Sequence, residues 1–227
     1  ADIVLHVVDT DFSPVATGVS ATSAVALSGE AARQAAEKVR EQLLTVAGHL
    51  LKTQPGQLTI KDCVISNPAG QRVTVAQVAL QALYVENQPI AATASATGYQ
   101  SPSFAAQGVE VVVDTETGAV RVVNAISAVD VGYAINPVLA EGLIEGGVAL
   151  GLGYGIAEEM LYDQRGNLLT TNLSDYRIFN APDMPVLETY LVATEGASGP
   201  FGSRSVEDIP VSGIAPAVAN AVADALG

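Results

Sequence analysis

Two adjacent carboxylates, Glu207 and Asp208, follow Gly199-Pro200-Phe201-Gly202-Ser203-Arg204-Ser205-Val206 and precede the apolar Ile209-Pro210-Val211. Charged residues make up only 15% of the chain, and carboxylates set beside apolar neighbours suit proton transfer near neutral pH. A solvated acidic turn would have the same local sequence. A second segment, Thr17 to Ala24, is small and hydroxyl-rich and leads into a helical pattern. Such residues let an oxyanion reach the free N–H groups of a helix start, and they equally suit an ordinary turn and cap. The third segment is Gly142-Leu143-Ile144-Glu145-Gly146-Gly147-Val148-Ala149-Leu150-Gly151-Leu152-Gly153-Tyr154-Gly155. It lacks the glycine spacing of a dinucleotide fold and the lysine of a P-loop. Each glycine lowers helix stability by about 1 kcal/mol, so their number implies that something packs very close, either a second helix or a cofactor. The fourth, Asp130-Val131-Gly132-Tyr133-Ala134-Ile135-Asn136-Pro137, ends a strand and starts the glycine helix. His6, His49 and Cys63 fall within periodic elements and read as structural, with Cys63 in the core.

The composition narrows what these segments can do. The chain has 227 residues, with 10 Lys+Arg against 24 Asp+Glu and a formal charge of −14. Hydrophobic residues at 49% exclude disorder, and the acidic balance excludes a nucleic-acid partner. One cysteine excludes an intrachain disulfide framework and a thiolate cage. Any metal must be held by carboxylates or by something other than a side chain. No apolar run reaches the roughly 20 residues of a membrane span. The N-terminus has no basic leader and no Met, and it starts in mid-strand. A cytoplasmic processed chain, split subunit or excised fragment is expected.

The elements that must position these segments read as α+β. Strands are expected at Asp2–Val8, Leu58–Ile65 and Val186–Ala193, with a hairpin of Val109–Val113 and Ala119–Val123 around Asp114-Thr115-Glu116-Thr117-Gly118. A second hairpin is expected around Asp163–Asn167. Ala31 to Leu51 carries apolar residues at helical spacing, with Ser28 as its N-cap and Glu30 in the first turn. Shorter helices are expected at Val75–Tyr84 and Ala215–Leu226. Antiparallel hairpins dominate this reading, giving mixed or antiparallel sheets with packed helices in two lobes. The first spans residues 1–107 and is incomplete at its N-terminus; the second, 108–227, holds the glycine-rich helix and the acidic loop.

Taken in order, the segments resemble a known family. They are Asp9-Thr10-Asp11 with Pro14 and Gly18, then Ser28-Gly29, Asp130-Val131-Gly132 with Ile135-Asn136-Pro137, and Ile144-Glu145-Gly146-Gly147. Gly151-Leu152-Gly153-Tyr154 with Glu158-Glu159, Asp175-Tyr176-Arg177-Ile178, Asp183-Met184-Pro185, Gly199-Pro200-Phe201-Gly202 and Ala215-Pro216-Ala217 complete the series. The series is similar to the C-terminal half of the molybdopterin-binding subunit of xanthine dehydrogenases and aldehyde oxidases. The resemblance implies molybdenum held by a pterin dithiolene, in bacteria usually the cytosine dinucleotide form, with no side chain as metal ligand. It implies that Thr22, Ser23, Ala24 and Val25 cradle the pterin and its phosphates, and that Leu143, Ser205 and Val206 lie beside the cofactor. Such enzymes hydroxylate a carbon of an N-heterocycle or aldehyde with oxygen from water, assisted by a glutamate base. Electrons then leave through iron–sulfur clusters and FAD on partner domains or subunits. A small-molecule substrate and the missing N-terminal half of the subunit are the other implied partners.

Two positions depart from the family pattern. Where the family has Gly-Ala-Lys-Gly-Val-Gly-Glu, this chain has Gly202-Ser203-Arg204-Ser205-Val206-Glu207-Asp208, which puts Asp208 at the base position and Glu207 where glycine is expected. Asp is shorter by one methylene, about 1.5 Å, in chemistry that needs hydrogen-bond contact. Leu143 replaces the family's glutamine. Two readings stay open: a hydroxylase using Asp208 or Glu207, and a catalytically degenerate homologue serving in assembly.

Overall fold

The computed structural model describes residues 11, 24–97, 102–195, 199–206 and 208–227. The expected strand Asp2–Val8 lies outside them. Two compact units are present, Val25–Tyr99 and a second containing Gln100–Gly227.

In the first unit, α1 spans Glu30–Leu51. Ser28 is not its cap. The N-cap position is Gly29, without a side-chain cap, because the π-helical turn Ala24–Gly29 already delivers helical backbone into α1. Arg33 bridges Glu30 and Glu37 at 2.6 Å each, and only the C-terminal half of α1 is buried, through Leu44, Val46, Ala47, Gly48 and Leu51. Leu58–Ile65 is not one strand. It folds back as β1, Thr59–Lys61, against β2, Val64–Ser66, with Lys61 opposite Val64. Asp62 and Cys63 both take positive φ, 50° and 56°, as a two-residue primed turn requires. Cys63 is therefore exposed at the turn and outside the core. The turn Asn67–Gly70 leads to β3, Arg72–Thr74, paired with β2. Thr74 then opens α2, Val75–Tyr84, with a capping box to Gln77. Val78 and Ala82 of α2 close this core on Ile65 and Ala47.

The second unit is built on a three-stranded sheet. β4, Ala105–Val113, pairs antiparallel with β5, Val120–Asp130, around the Asp114–Gly118 turn. β4 is continuous through residues 107 and 108. β6, Val186–Val192, runs parallel to β5, from Asn124↔Val186 to Asp130↔Val192. The helix between them is α3, Pro137–Ile156, capped by Asn136. Hairpins therefore do not account for the whole sheet. The sequence hid the crossover because the irregular stretch 157–185 separates α3 from β6. Two more helices follow, α4, Ile209–Ser212, and α5, Ile214–Leu226. The Ile209–Leu226 stretch has the length and hydropathy of a membrane-crossing helix. Here Pro210, Ile214 and Val218 are buried, and Ile214 and Val218 join Ile144, Val148 and Leu152 of α3 over Val122, Ala125 and Val129 of the sheet.

Candidate active site

β5 and β6 are parallel, so their carboxyl ends, Asp130 and Val192, lie together; ligands of open α/β sheets gather at such ends. Three chain segments meet there. Asp130 donates its N–H to Phe104 O at 2.8 Å, Val131 N–H donates to Val192 O at 3.0 Å, and Gly132 bridges antiparallel to Ser203. Arg204 N–H donates to Val131 O and Tyr133 N–H to Gly202 O, both at 2.8 Å. The acidic loop thus starts as an edge pairing on the exit from β5.

A buried charge sits under that pairing. Asp130 is 6% exposed. Its carboxylate accepts from Gly132 N at 3.0 Å, from Thr194 Oγ1 at 2.8 Å and from Arg204 Nε at 3.0 Å. Arg204 also donates from Nη1 to Pro102 O at 2.5 Å. One residue further, Ser103 Oγ donates to Ser205 O. Val206 is buried in the core, and Asp208 is exposed at the start of α4. Glu207, Thr22 and Ser23 lie outside the described residues. Ala24 and Val25 open the π-helical turn before α1.

The glycine helix divides into two faces. A Cβ on Gly147 would lie 2.7 Å from Pro210 Cβ, and one on Gly151 would lie 2.9 Å from both Ile214 Cβ and Val211 O. A Cβ on Gly155 would lie 3.3 Å from Ala215 Cα, tight but less so. The neighbour that needs this row of glycines is therefore the α4–α5 segment. Gly153 has a different reason, since Glu158 Oε1 occupies the space beside it while Glu158 Oε2 accepts from Tyr176 O–H at 2.5 Å. That bond, followed by burial, raises the Tyr176 phenol above its ordinary value. On the other face, a Cβ on Gly142 or Gly146 would meet nothing within 4 Å among the described residues. Leu143, one turn before Gly147, is 51% exposed among Val138, Leu139, Leu150 and Tyr154, which are exposed as well.

The structure thus ties Gly202, Ser203 and Arg204, which precede Ser205, Val206 and Asp208 in the chain, to the exit of β5, and packs Pro210 against α3 at Gly147, one turn from Leu143. Sequence reasoning missed Ser103 and Thr194, whose roles depend on contacts far along the chain. Asp130 did carry a signal, a lone charge at the end of an apolar strand. Among the described residues no group of three or more His, Cys, Asp or Glu could hold a metal ion.

The model of the molybdopterin cofactor-binding domain matches residues 1–185 of this chain. The chain belongs to that family. Its relatives include a protein named "probable hypoxanthine oxidase XdhD" from Escherichia coli, 34% identical over 98% of this chain and 24% of the relative. Among solved structures, the Cu,Mo-CO dehydrogenase superposes with a TM-score of 0.82 at 25% identity, covering 95% of this chain and 28% of that one. Quinoline 2-oxidoreductase from Pseudomonas putida 86 gives 0.73 at 32% identity, over 85% and 26%. This molybdopterin-binding domain therefore spans about a quarter of the chains it matches.

The residues of the loop fit an oxygen-rich, anionic group. Among the described residues, the Ser205 Oγ is buried with no hydrogen-bond partner, as is that of Ser203, and buried hydroxyls are normally satisfied. No side chain is required as metal ligand when the pterin itself holds the metal.

Proposed function

We propose that this chain forms part of a molybdenum hydroxylase, closing one side of a molybdopterin site in the cytosine dinucleotide form. The complete cytoplasmic enzyme would hydroxylate an N-heterocycle or aldehyde carbon with oxygen from water and pass electrons to iron–sulfur and FAD partners. The carrying observation is the loop Ser203–Val206, anchored at the carboxyl ends of the parallel strands and leading to Asp208. When bound, the cofactor supplies the two-electron redox chemistry. The chain's own residues do the rest. Ser205 Oγ, and the backbone at Val206, would donate or accept at the cofactor's polar edge, and Leu143 would lay apolar surface against it in place of a hydrogen-bonding amide. Thr22, Ser23, Ala24 and Val25 would hold the pterin and phosphates. Asp208, with Glu207 as the lesser candidate, would hold the proton taken from the attacking oxygen.

The N-terminal part of the same subunit is the partner this reading requires. One face of α3 is a row of exposed apolar side chains, and apolar surface of that extent marks an interaction site.

The test is Asp208→Ala in the assembled enzyme, with hypoxanthine and quinoline as substrates and molybdenum and pterin measured alongside. Loss of a positioned general base lowers turnover by about 10²–10⁴-fold, and cofactor content should stay unchanged. Unchanged turnover excludes Asp208 as base, whereas an assembled, cofactor-loaded enzyme that turns over neither substrate before any substitution favours the assembly role for a degenerate homologue.

A further inference from the structure

We propose that the Asp130–Arg204 pair is a positioning latch, fixing the loop from Ser203 to Asp208 in the geometry that proton transfer needs. The proposal rests on the reading of Asp208 as the base. The pair is deeply placed, with side-chain exposures of 7% for Asp130 and 10% for Arg204. Burying two charges carries a desolvation penalty that an apolar pair would not, so packing alone does not explain them. What the charges add is directional bonding. Asp130 collects Gly132 N, Thr194 Oγ1 and Arg204 Nε, while Arg204 reaches past it to Pro102 O. Four segments distant in sequence, 102–104, 130–132, 194 and 203–205, are tied at one point. Among the described residues after that point, the Ser205 carbonyl is held by Ser103 and Val206 is buried, while Asp208 is exposed. With Asp one methylene shorter than the family's Glu, small displacements of the loop matter more for reach.

Lysine cannot replace arginine here. An ammonium keeps the charge but lacks the planar fork that serves Asp130 and Pro102 at once. In the complete enzyme, Arg204→Lys should speed amide exchange at position 204 and at Tyr133, whose N–H groups donate to Val131 O and Gly202 O, at least tenfold, with exchange in α3 unchanged. It should lower kcat for hypoxanthine or quinoline at least tenfold, with KM within twofold and molybdenum and pterin content unchanged. Unchanged exchange in the loop overturns the latch, and so does accelerated exchange with full kcat. Should single variants fail to fold, the neutral pair Asp130→Leu with Arg204→Met removes both charges together and should restore folding while keeping the loop mobile and kcat low. A folded double variant with full kcat also overturns the proposal. If Asp208→Ala leaves turnover intact while Arg204→Lys still loosens the loop, the base assignment fails and the anchoring stands as structure alone.

Discussion

Glu30 illustrates how one carboxylate can make local structure depend on pH. Hydrogen bonds from Arg33 and then Gln34 lower its pKa to about 2. In the unfolded chain it returns to its ordinary value near 4.5. A depressed folded pKa contributes stability above the unfolded value, and that contribution is lost as pH falls from about 4.5 towards 2. The first turn of α1 should fray over that window. A carboxyl NMR titration of Glu30 checks this, and a midpoint near 4.5 in the folded chain would show that the Arg33 contact is not made in solution. The same scale shows what a sequence conceals. The position proposed for the base, Asp208, is reached from the sequence by counting back from Ala215-Pro216. Thr194 and Ser103 could not be reached so, because a threonine after a strand and a serine in a polar stretch acquire their partners only when β6 and β4 come alongside β5.

At the scale of elements, α3 offers a contrast within one helix. Adding a methyl at Gly147 or Gly151 drives it into Pro210 or into Ile214 and the Val211 carbonyl, and overpacking of this kind costs about 1–3 kcal/mol. At Gly146 an added methyl meets nothing within 4 Å among the described residues, so the gain in helix propensity, up to about 1 kcal/mol, should appear. Melting of this chain should fall for Gly151→Ala and rise for Gly146→Ala. A fall in both would mean that something already covers the open face. Helices of clear periodicity, α1, α2 and α5, were legible because their apolar residues repeat at one period. The 58–65 segment reads as one strand only when the break at Lys61-Asp62 is passed over: Asp62 stands where alternation calls for an apolar residue, and with Cys63 it takes the positive φ of the turn. Ser28 failed as a cap because the preceding backbone was already helical.

For the molecule as a whole, the exposed apolar face of α3 is where the proposed pairing with the N-terminal part of the subunit can be tested. Leu150 and Tyr154 are 62% and 77% exposed, values that suit an interface better than a free surface. Leu139→Lys with Leu150→Lys should leave the melting of this chain within about 0.5 kcal/mol, as surface changes do. Association with the N-terminal part of the subunit should fall at least tenfold, read by co-purification and ultracentrifugation. Retained association would place the partner on another face.

The parallel pairing of β5 with β6 also has a consequence during synthesis. The β4–β5 hairpin joins neighbours in the chain and can close as soon as Asp130 has emerged. The other edge of β5 stays unpaired until Val186–Val192 is made, and an open edge of apolar strand is a template for pairing with a second nascent copy. Closing a loop that spans α3 and the irregular stretch after it is slow compared with closing a hairpin. Chains stalled or truncated between α3 and β6 should therefore be the aggregation-prone species in this protein's biogenesis.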